Sequence, residues 1–233
     1  MNLNRFIDEL KILGIEINDT QLNQLERYFE LLVEYNKVMN LTGITEKEEV
    51  YLKHFYDSLT IVKAIDLNTI DTLCDVGTGA GFPGMVLKIL FPKLKITLID
   101  SLNKRINFLQ NVIDEIGLKD IEAIHYRIEE YALTNRDKFD VVTARAVANT
   151  SMLLEYSIPM VKVGGYFIPM KAKMDNEPDF SNAAKILNCK LVDKVEFELP
   201  IEESKRTILK FYKEKTTNTK YPRKYAEMKK RPL

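Results

Sequence analysis

A glycine-rich loop between a strand-like run and a helix-like run is the feature that most constrains this fold. The loop reads Asp75-Val-Gly-Thr-Gly-Ala-Gly-Phe-Pro-Gly84, and apolar runs over 72–76 and 84–90 flank it. Glycine lets the backbone turn sharply and lets a ligand lie against the main chain. The unpaired N–H groups of a following helix can then face that ligand. The pattern predicts a ligand-binding turn at the start of an α/β domain.

Short β-rich runs and helical segments alternate after residue 72. The β-rich runs cover 72–76, 95–100, 121–127, 139–145 and 166–172, and the helical segments lie near 84–90, 104–116 and 150–161. This alternation predicts parallel βαβ units in a doubly wound sheet. Two later runs, 190–199 and 206–213, are joined too closely to be anything but antiparallel neighbours. We therefore expect a mainly parallel, seven-stranded α/β sheet with an antiparallel last strand.

The segments on either side of this region differ from it. Apolar residues follow Asp19 and Thr20, both good N-cap types, at helical spacing, and a second helix is expected over 51–65. We predict an N-terminal helical extension over 1–66, a Rossmann-like domain over 67–215, and a basic tail over 216–233. The tail lacks periodicity, and we expect it to pack on or near the same domain.

The formal net charge of zero averages two unequal parts of the chain. From residue 205 to the end, eleven Lys and Arg residues face two acidic residues, a net of +9, so the preceding 204 residues carry −9. A basic end on an acidic body is typical of a docking surface for a polyanion. It is equally compatible with a solvated tail that keeps the protein soluble.

The sequence lacks the marks of secretion, membrane insertion and metal binding. Acidic residues occur early in the chain, and the most apolar segments are short and interrupted by charge. Cys74 and Cys189 lie far apart without a CxxC spacing, and His54 and His125 are the only histidines. We expect a cytoplasmic protein with reduced thiols and no metal.

The glycine loop suits two classes of ligand. Gly79 to Gly84 spells GxGxxG, and Asp100 follows 21 residues after Gly79, as in nicotinamide-binding proteins. Asp75, directly before the glycines, suits a donor with an amino group and a sulfonium and suits a pyrophosphate badly. An acid followed by three alternating glycines is also the arrangement of methyltransferases. We therefore favour S-adenosylmethionine and keep a nicotinamide oxidoreductase as the alternative.

Further candidate residues lie where later strands end. Asp100 is placed to accept both ribose hydroxyls or to cap a helix, and the acidic turn at 128–130 either receives the adenine or simply begins a helix. Arg145 is expected either at the reaction centre or in an ion pair with an acid such as Asp75. His54 and Asp57, three residues apart, are expected to hydrogen-bond each other, and His125 to be a structural residue of a buried strand.

Together these segments resemble the bacterial small-subunit ribosomal RNA guanine-N7 methyltransferases, the family historically called glucose-inhibited division protein B. The glycine motif is common to many methyltransferases, whereas the other matching pieces are more specific. Those pieces are Asn40-Leu-Thr42, His54-Phe-Tyr-Asp-Ser-Leu59, Phe139-Asp-Val-Val-Thr-Ala-Arg-Ala146, Tyr221-Pro-Arg-Lys224 and Pro232-Leu233. They follow the family's order along nearly the whole chain. The stretch 225–229 departs from a Gly/Pro-richer tail.

The resemblance implies an S-adenosylmethionine-dependent methyltransferase that acts on 16S ribosomal RNA or on the small ribosomal subunit particle as a monomer. Taken with the residue-based candidates, the expected donor contacts are Asp75, Gly77, Thr78, Gly79, Gly81, Phe82, Asp100, Ile128, Glu129 and Arg145. The expected RNA contacts are Arg223, Lys224, Lys229, Lys230 and Arg231, with Tyr221 and Tyr225 available to stack on unpaired bases.

Methylation of guanine N7 sets modest chemical demands. N7 carries a lone pair and no proton, so an in-line displacement at the sulfonium methyl needs no general base. We expect catalysis by positioning, with Arg145 at the reaction centre. Two alternatives stay open: methylation of a small molecule or a protein, and a non-catalytic RNA-binding factor that retains the donor pocket.

Overall fold

The computed structural model describes residues 1–145, 148–172, 174 and 179–233. Its strands are β1 (Thr72–Val76), β2 (Lys95–Asp100), β3 (Ile121–His125), β4 (Phe139–Arg145), β5 (Val161–Lys171), β6 (Cys189–Glu198) and β7 (Lys205–Lys213). They form a seven-stranded sheet in the order β3-β2-β1-β4-β5-β7-β6. Strands β1 to β5 pair in parallel, whereas β7 is antiparallel to both β5 and β6. The predicted fold class is confirmed.

Helices cover both faces of this sheet. The α-helices in the described part of the chain are α1 (Leu3–Ile12), α2 (Asp19–Met39), α3 (Lys47–Val50), α4 (Asp57–Leu59), α5 (Gly84–Leu90), α6 (Asn103–Glu115), α7 (Ile128–Thr134), α8 (Thr150–Ser157), α9 (Ser181–Ile186) and α10 (Tyr225–Lys230). The helix predicted over 150–161 ends early, and β5 begins at Val161. Gly164 and Gly165 lie inside β5 and weakened its strand signal, because glycine has no side chain to pack.

The N-terminal extension is helical, as predicted, with two differences in detail. Helix α2 is capped by Asn18 in a reciprocal box with Gln21, rather than by Asp19 or Thr20. The single helix predicted over 51–65 is instead three short pieces, preceded by α3: a π-helical segment Tyr51–Tyr56, α4 and a 3₁₀ segment Thr60–Lys63. Over so few residues, an apolar pattern does not distinguish one helical pitch from another.

Two hydrophobic clusters lie on opposite faces of the sheet. The larger joins the N-terminal helices to α5 and α6, so the extension and the sheet share one core. Within it, the stacked rings of Tyr28 and Phe55 lie 5.5 Å apart, and the ring of Tyr28 lies 5.6 Å from that of Phe82. Phe82 belongs to the glycine loop. The extension therefore supports that loop directly.

The basic tail packs on the second cluster, which includes Tyr221 and Met228. Arg136 donates hydrogen bonds to the carbonyl oxygens of Tyr221 and Thr217, each at 2.6 Å. The prediction of a tail without regular structure is wrong over 225–230, which forms α10. Tyr221, buried before this short helix, and Met228, buried within it, hold α10 in place, although its own sequence shows little periodicity.

Both cysteines are buried free thiols, Cys74 in β1 and Cys189 in β6. Burial raises the pKa of the Cys189 thiol to about 12 and that of the Cys74 thiol well above its ordinary value, so both stay protonated. Across the described ranges, no helix has the length and apolar character needed to cross a bilayer. The same residues contain no group of three His, Cys, Asp or Glu side chains that could hold a metal.

Candidate functional site

A cavity of about 630 Å³ opens at the carboxyl ends of β1 and β2 and at the start of α7. Gly77, Asp100, Ile128 and Glu129, four of the expected donor contacts, line it together. Strand order reverses between β1 and β4, and an open α/β sheet binds its ligands at the carboxyl edge beside such a reversal. Other lining residues include Arg105, Asn149, Met152, Tyr156 and Tyr225.

The alternating glycines of the loop have different surroundings. Gly79 has φ +62°, and an added Cβ would meet no atom of the described residues within 4 Å, so among them its surface is open. Gly81 has φ +104°, and an added Cβ would lie 2.6 Å from the Tyr28 hydroxyl oxygen and 2.9 Å from Leu109 Cδ2. That hydroxyl also donates a hydrogen bond to the carbonyl oxygen of Ala80. The structure therefore places Gly81 against the N-terminal helices.

Asp75 is fully buried behind the loop and ties it to α5. Its Oδ2 accepts hydrogen bonds from Thr78 Oγ1 at 2.6 Å and from the Gly84 N–H at 2.8 Å. Burial nevertheless raises the pKa of this carboxyl to about 6. Within the described residues, its Oδ1 has no hydrogen-bond partner. A buried acceptor without a partner is costly, and a cationic ligand group beside it would lower that cost.

Asp100 lies at the end of β2 with most of its hydrogen-bonding capacity already used. Its Oδ1 accepts from the Leu102 N–H at 2.9 Å, and its Oδ2 accepts from the Gly79 N–H at 3.0 Å and from Arg105 Nη1 at 3.1 Å. A carboxylate offers about four acceptor positions. One ribose hydroxyl fits without displacement. Binding both hydroxyls requires the side chain of Arg105, which is 32% exposed, to move aside.

Arg145, at the end of β4, is held by the N-terminal helices. Its Nη1 donates to Asp57 Oδ2 at 3.2 Å and to the Lys53 carbonyl oxygen at 3.1 Å. Its guanidinium carbon lies 5.1 Å from the centre of the Phe82 ring. The ion pair expected with an acid such as Asp75 is therefore made with Asp57. Ala146, the last residue of the 139–146 motif, lies outside the described residues.

Asp57 binds a second arginine that the sequence analysis missed. Arg206, at the start of β7, donates from Nε to Asp57 Oδ1 at 3.0 Å. The two carboxylate oxygens of Asp57 therefore bind Arg145 and Arg206, and not His54, the partner that the sequence predicted. The charge of Arg206 gave no signal of this role, because it lies within a run of basic residues.

His54 contacts residues of three other sequence motifs. Its Nε2 lies 2.8 Å from Thr42 Oγ1, its Nδ1 lies 3.3 Å from Arg145 Nη2, and its ring stacks on Phe82 at 4.4 Å. Burial, and then the charge of Arg145, lowers the pKa of His54 to about 4. The ring is therefore neutral at neutral pH. By contrast, His125 is exposed at the end of β3, where the sequence predicted a buried strand.

A second cavity, of about 260 Å³, is lined by His54, Asp57, Arg145 and Arg206. It neighbours the first cavity through Lys171, which lines the second and donates a hydrogen bond of 2.8 Å to the carbonyl oxygen of Ala148, a lining residue of the first. The structure thus places Arg145 beside the expected donor cavity rather than in its wall.

The basic residues of the tail divide into anchors and exposed groups. Arg223 donates to the carboxylate of Glu155 from its backbone N–H, Nε and Nη2 at 2.9, 2.8 and 2.6 Å. Tyr221 is 6% exposed, so the stacking on bases predicted for it is wrong, whereas Tyr225 is 44% exposed. The other expected RNA contacts, Lys224, Lys229, Lys230 and Arg231, are exposed.

Comparison with known proteins gives consistent similarities. A family model described as rRNA small subunit methyltransferase G matches residues 21–206. A ribosomal RNA small subunit methyltransferase G from Exiguobacterium sibiricum is 48% identical over 237 residues, covering 100% of both chains. Its namesake from Lachnoclostridium phytofermentans is 50% identical, covering 98% of this chain and 96% of that one. The crystal structure of a SAM dependent methyltransferase from Aquifex aeolicus superposes with a TM-score of 0.55 at 18% identity, covering 74% of this chain and 96% of that one, which shows a shared fold.

Proposed function

The chain belongs to the rRNA small subunit methyltransferase G family, and on that premise we propose that it transfers a methyl group from S-adenosylmethionine to N7 of a guanine in 16S ribosomal RNA. The observation that carries the proposal is the 630 Å³ cavity, where residues from three successive strand ends meet at the reversal of strand order. An rRNA substrate places the reaction in the cytoplasm. Because one chain supplies both cavities, we propose a monomer.

The cavity residues fit S-adenosylmethionine, which supplies an electrophilic methyl group when it is bound. Asp100 retains an acceptor position for a ribose hydroxyl, and the turn at Ile128 and Glu129 would receive the adenine through its backbone. The open loop at Gly77 and Gly79 would lie along the methionine portion. Asp75, Thr78 and Gly81 would then act from behind, holding the loop in shape.

Arg145 is the residue that we propose positions the guanine, with Phe82 beneath its guanidinium. Guanine presents N7 and O6 as neighbouring acceptors on one edge. Because N7 must keep its lone pair for the methyl carbon, Arg145 would bond O6. Asp57 and the Lys53 carbonyl already hold the guanidinium, so little reorganisation is needed when the base arrives. With His54 neutral and no proton to remove, this chemistry needs no general base.

We propose that the exposed tail residues Lys224, Lys229, Lys230 and Arg231 contact RNA phosphates, while Arg223 anchors the tail. Phosphate contacts of this kind fix register and orientation and carry little sequence information. The target guanine would therefore be selected chiefly by RNA shape and by the pocket around Arg145.

The test is to incubate the protein with methyl-labelled S-adenosylmethionine and small-subunit RNA from cells lacking this enzyme, both as naked RNA and as the assembled particle. We expect labelled 7-methylguanosine after digestion. Arg145→Lys should lose most of this activity, because lysine cannot keep the planar contacts with Asp57 and Lys53. Lys95→Ala, an exposed change at the opposite sheet edge, should retain it. Donor binding without any labelled nucleoside from either substrate would refute the proposed activity.

A further inference from the structure

Tyr225 lies in the wall of the donor cavity although it belongs to the basic tail. It is the first residue of α10 and lines the same cavity as Asp100 and Glu129. Its side chain is 44% exposed, so part of the ring has no protein neighbour. An aromatic ring with an open surface at the mouth of a ligand cavity is suited to cover a flat, partly apolar ligand.

The position of Tyr225 is fixed from both sides. Ahead of it, Arg223 makes its three hydrogen bonds to Glu155, whose side chain is 1% exposed. After it, Met228 is completely buried in the second hydrophobic cluster. Glu155 belongs to α8, which also contributes Met152 and Tyr156 to the cavity wall. The clamp therefore ties α10 to a helix of the cavity itself.

The neighbours of Tyr225 identify the part of the cavity that it covers. Glu129 and Tyr156 line the same cavity as Tyr225. Glu129 and Ile128 begin α7 at the end of the third strand, where the adenine is proposed to lie. Ile128, Met152 and Tyr156 give this part of the cavity wall apolar and aromatic surface, beside the carboxylate of Glu129.

We propose that Tyr225 is a donor-binding residue whose ring covers the adenine of S-adenosylmethionine, with the Arg223–Glu155 clamp holding it in place. The inference rests on the proposed function, because it assumes that this cavity binds the donor. It makes the tail part of the donor site as well as an RNA-binding segment. Stacking of a base on an aromatic side chain is typically worth about 1–3 kcal/mol, and the half-exposed ring of Tyr225 favours the lower part of that range.

The test is the affinity for S-adenosylhomocysteine, measured by titration calorimetry without RNA on the full-length protein. Tyr225→Ala should bind roughly five- to thirty-fold more weakly than the wild type, and Tyr225→Phe should bind within about two-fold of it. Tyr212→Ala, which removes another partly buried tyrosine ring from β7, should leave the affinity unchanged. Thermal melts without ligand check that each variant is folded.

Proteolysis gives a second readout. S-adenosylhomocysteine should slow tryptic cleavage after Lys224, Lys229 and Lys230 in the wild type, because ligand contact with Tyr225 adds to the anchoring of α10 by Arg223 and Met228. The same ligand, at a concentration that saturates the variant, should protect these sites much less in Tyr225→Ala.

The two proposals fail in different ways. If the wild type does not bind S-adenosylhomocysteine, the donor assignment of the cavity fails and the role of Tyr225 fails with it. If the wild type binds while Tyr225→Ala binds equally well, only the role of Tyr225 is overturned. Equal weakening by Tyr225→Phe and Tyr225→Ala would also overturn it, since the phenylalanine ring keeps the stacking surface.

Discussion

Replacing Asp57 with asparagine should destabilise the protein more than removing either of the arginines it binds. Asp57 accepts from Arg145 at 3.2 Å and from Arg206 at 3.0 Å, and its side chain is only 8% exposed. The three side chains together carry a net charge of +1. Asp57→Asn raises that to +2, with two guanidinium groups that are only 15% and 17% exposed and have lost their shared carboxylate.

The expected magnitudes follow from that imbalance. Removing one partner from a buried ion pair typically costs about 3–5 kcal/mol, because the remaining charge is left without compensation. Arg206→Gln instead leaves Asp57 and Arg145 as a neutral pair, so its cost should be near that of one charged hydrogen bond, about 1.5–3 kcal/mol. The double variant restores the net charge to +1. Its cost should therefore be smaller than the sum of the two single costs by at least about 1 kcal/mol.

Equilibrium unfolding in urea, followed by circular dichroism at constant pH, measures all four proteins on one scale. The free energy of unfolding should decrease in the order wild type, Arg206→Gln, Asp57→Asn, and the cycle should show the non-additivity described above. Equal costs for the two single variants, together with additive costs in the double variant, would refute the reasoning. Asp57 would then not act as a shared partner that couples the two arginines.

Three other perturbations test separate parts of the structure. Gly81→Ala should cost roughly 2–6 kcal/mol from overpacking and backbone strain. Gly79→Ala, whose Cβ would contact none of the described residues, should cost only about 1–3 kcal/mol in thermal or urea unfolding. The folded-state pKa of His54 is about 4, so this residue contributes stability that is present above pH 6.5 and lost as the pH falls towards 4. The pKa of Asp75 is raised to about 6 in the folded state, so this residue contributes stability that is lost as the pH rises from 3.8 to 6. His54→Gln and Asp75→Asn should therefore change the pH dependence of the unfolding free energy in opposite directions, each by about 3 kcal/mol across its pH range. The same pH dependence in both variants would contradict these pKa shifts. If the tail contacts about four phosphates, raising salt from roughly 50 to roughly 200 mM should weaken RNA binding on the order of a hundred-fold in filter-binding assays, and a salt-independent affinity would argue against this surface.

The grouping of Gly77, Asp100 and Glu129 in one cavity could be predicted from the sequence, because these residues follow one local rule. Gly77, Asp100 and Glu129 each lie just after a strand or at the start of the next helix, and the alternating pattern identified those strands. Parallel strands bring such turns to the same edge of a sheet, so knowing the strands was enough to group the residues. The fold class followed from the same periodicity.

Only the tertiary structure decided which charged residues are buried and which face solvent. Arg206, Lys213 and Arg223 all belong to the basic end, yet each is paired with an acid far away along the chain: Asp57, Asp137 and Glu155. Lys213 is completely buried, and its Nζ also donates to the carbonyl oxygen of Val161. Sequence patterning gives the amount of charge in a segment, but not its distant partners.

The loop glycines and the tail also show the difference between what the sequence determines and what the tertiary structure determines. The sequence showed that Gly81 belongs to a tight loop, but the hydroxyl of Tyr28, in a helix far away along the chain, is what fills the space beside it. In the tail, the hydrogen bonds between Arg223 and Glu155 hold Tyr225 at the 630 Å³ cavity. Local residue spacing determines strands, helices and the turns between them. Contacts between segments far apart in sequence depend on how the sheet and helices pack, and these decided the second cavity and the path of the tail.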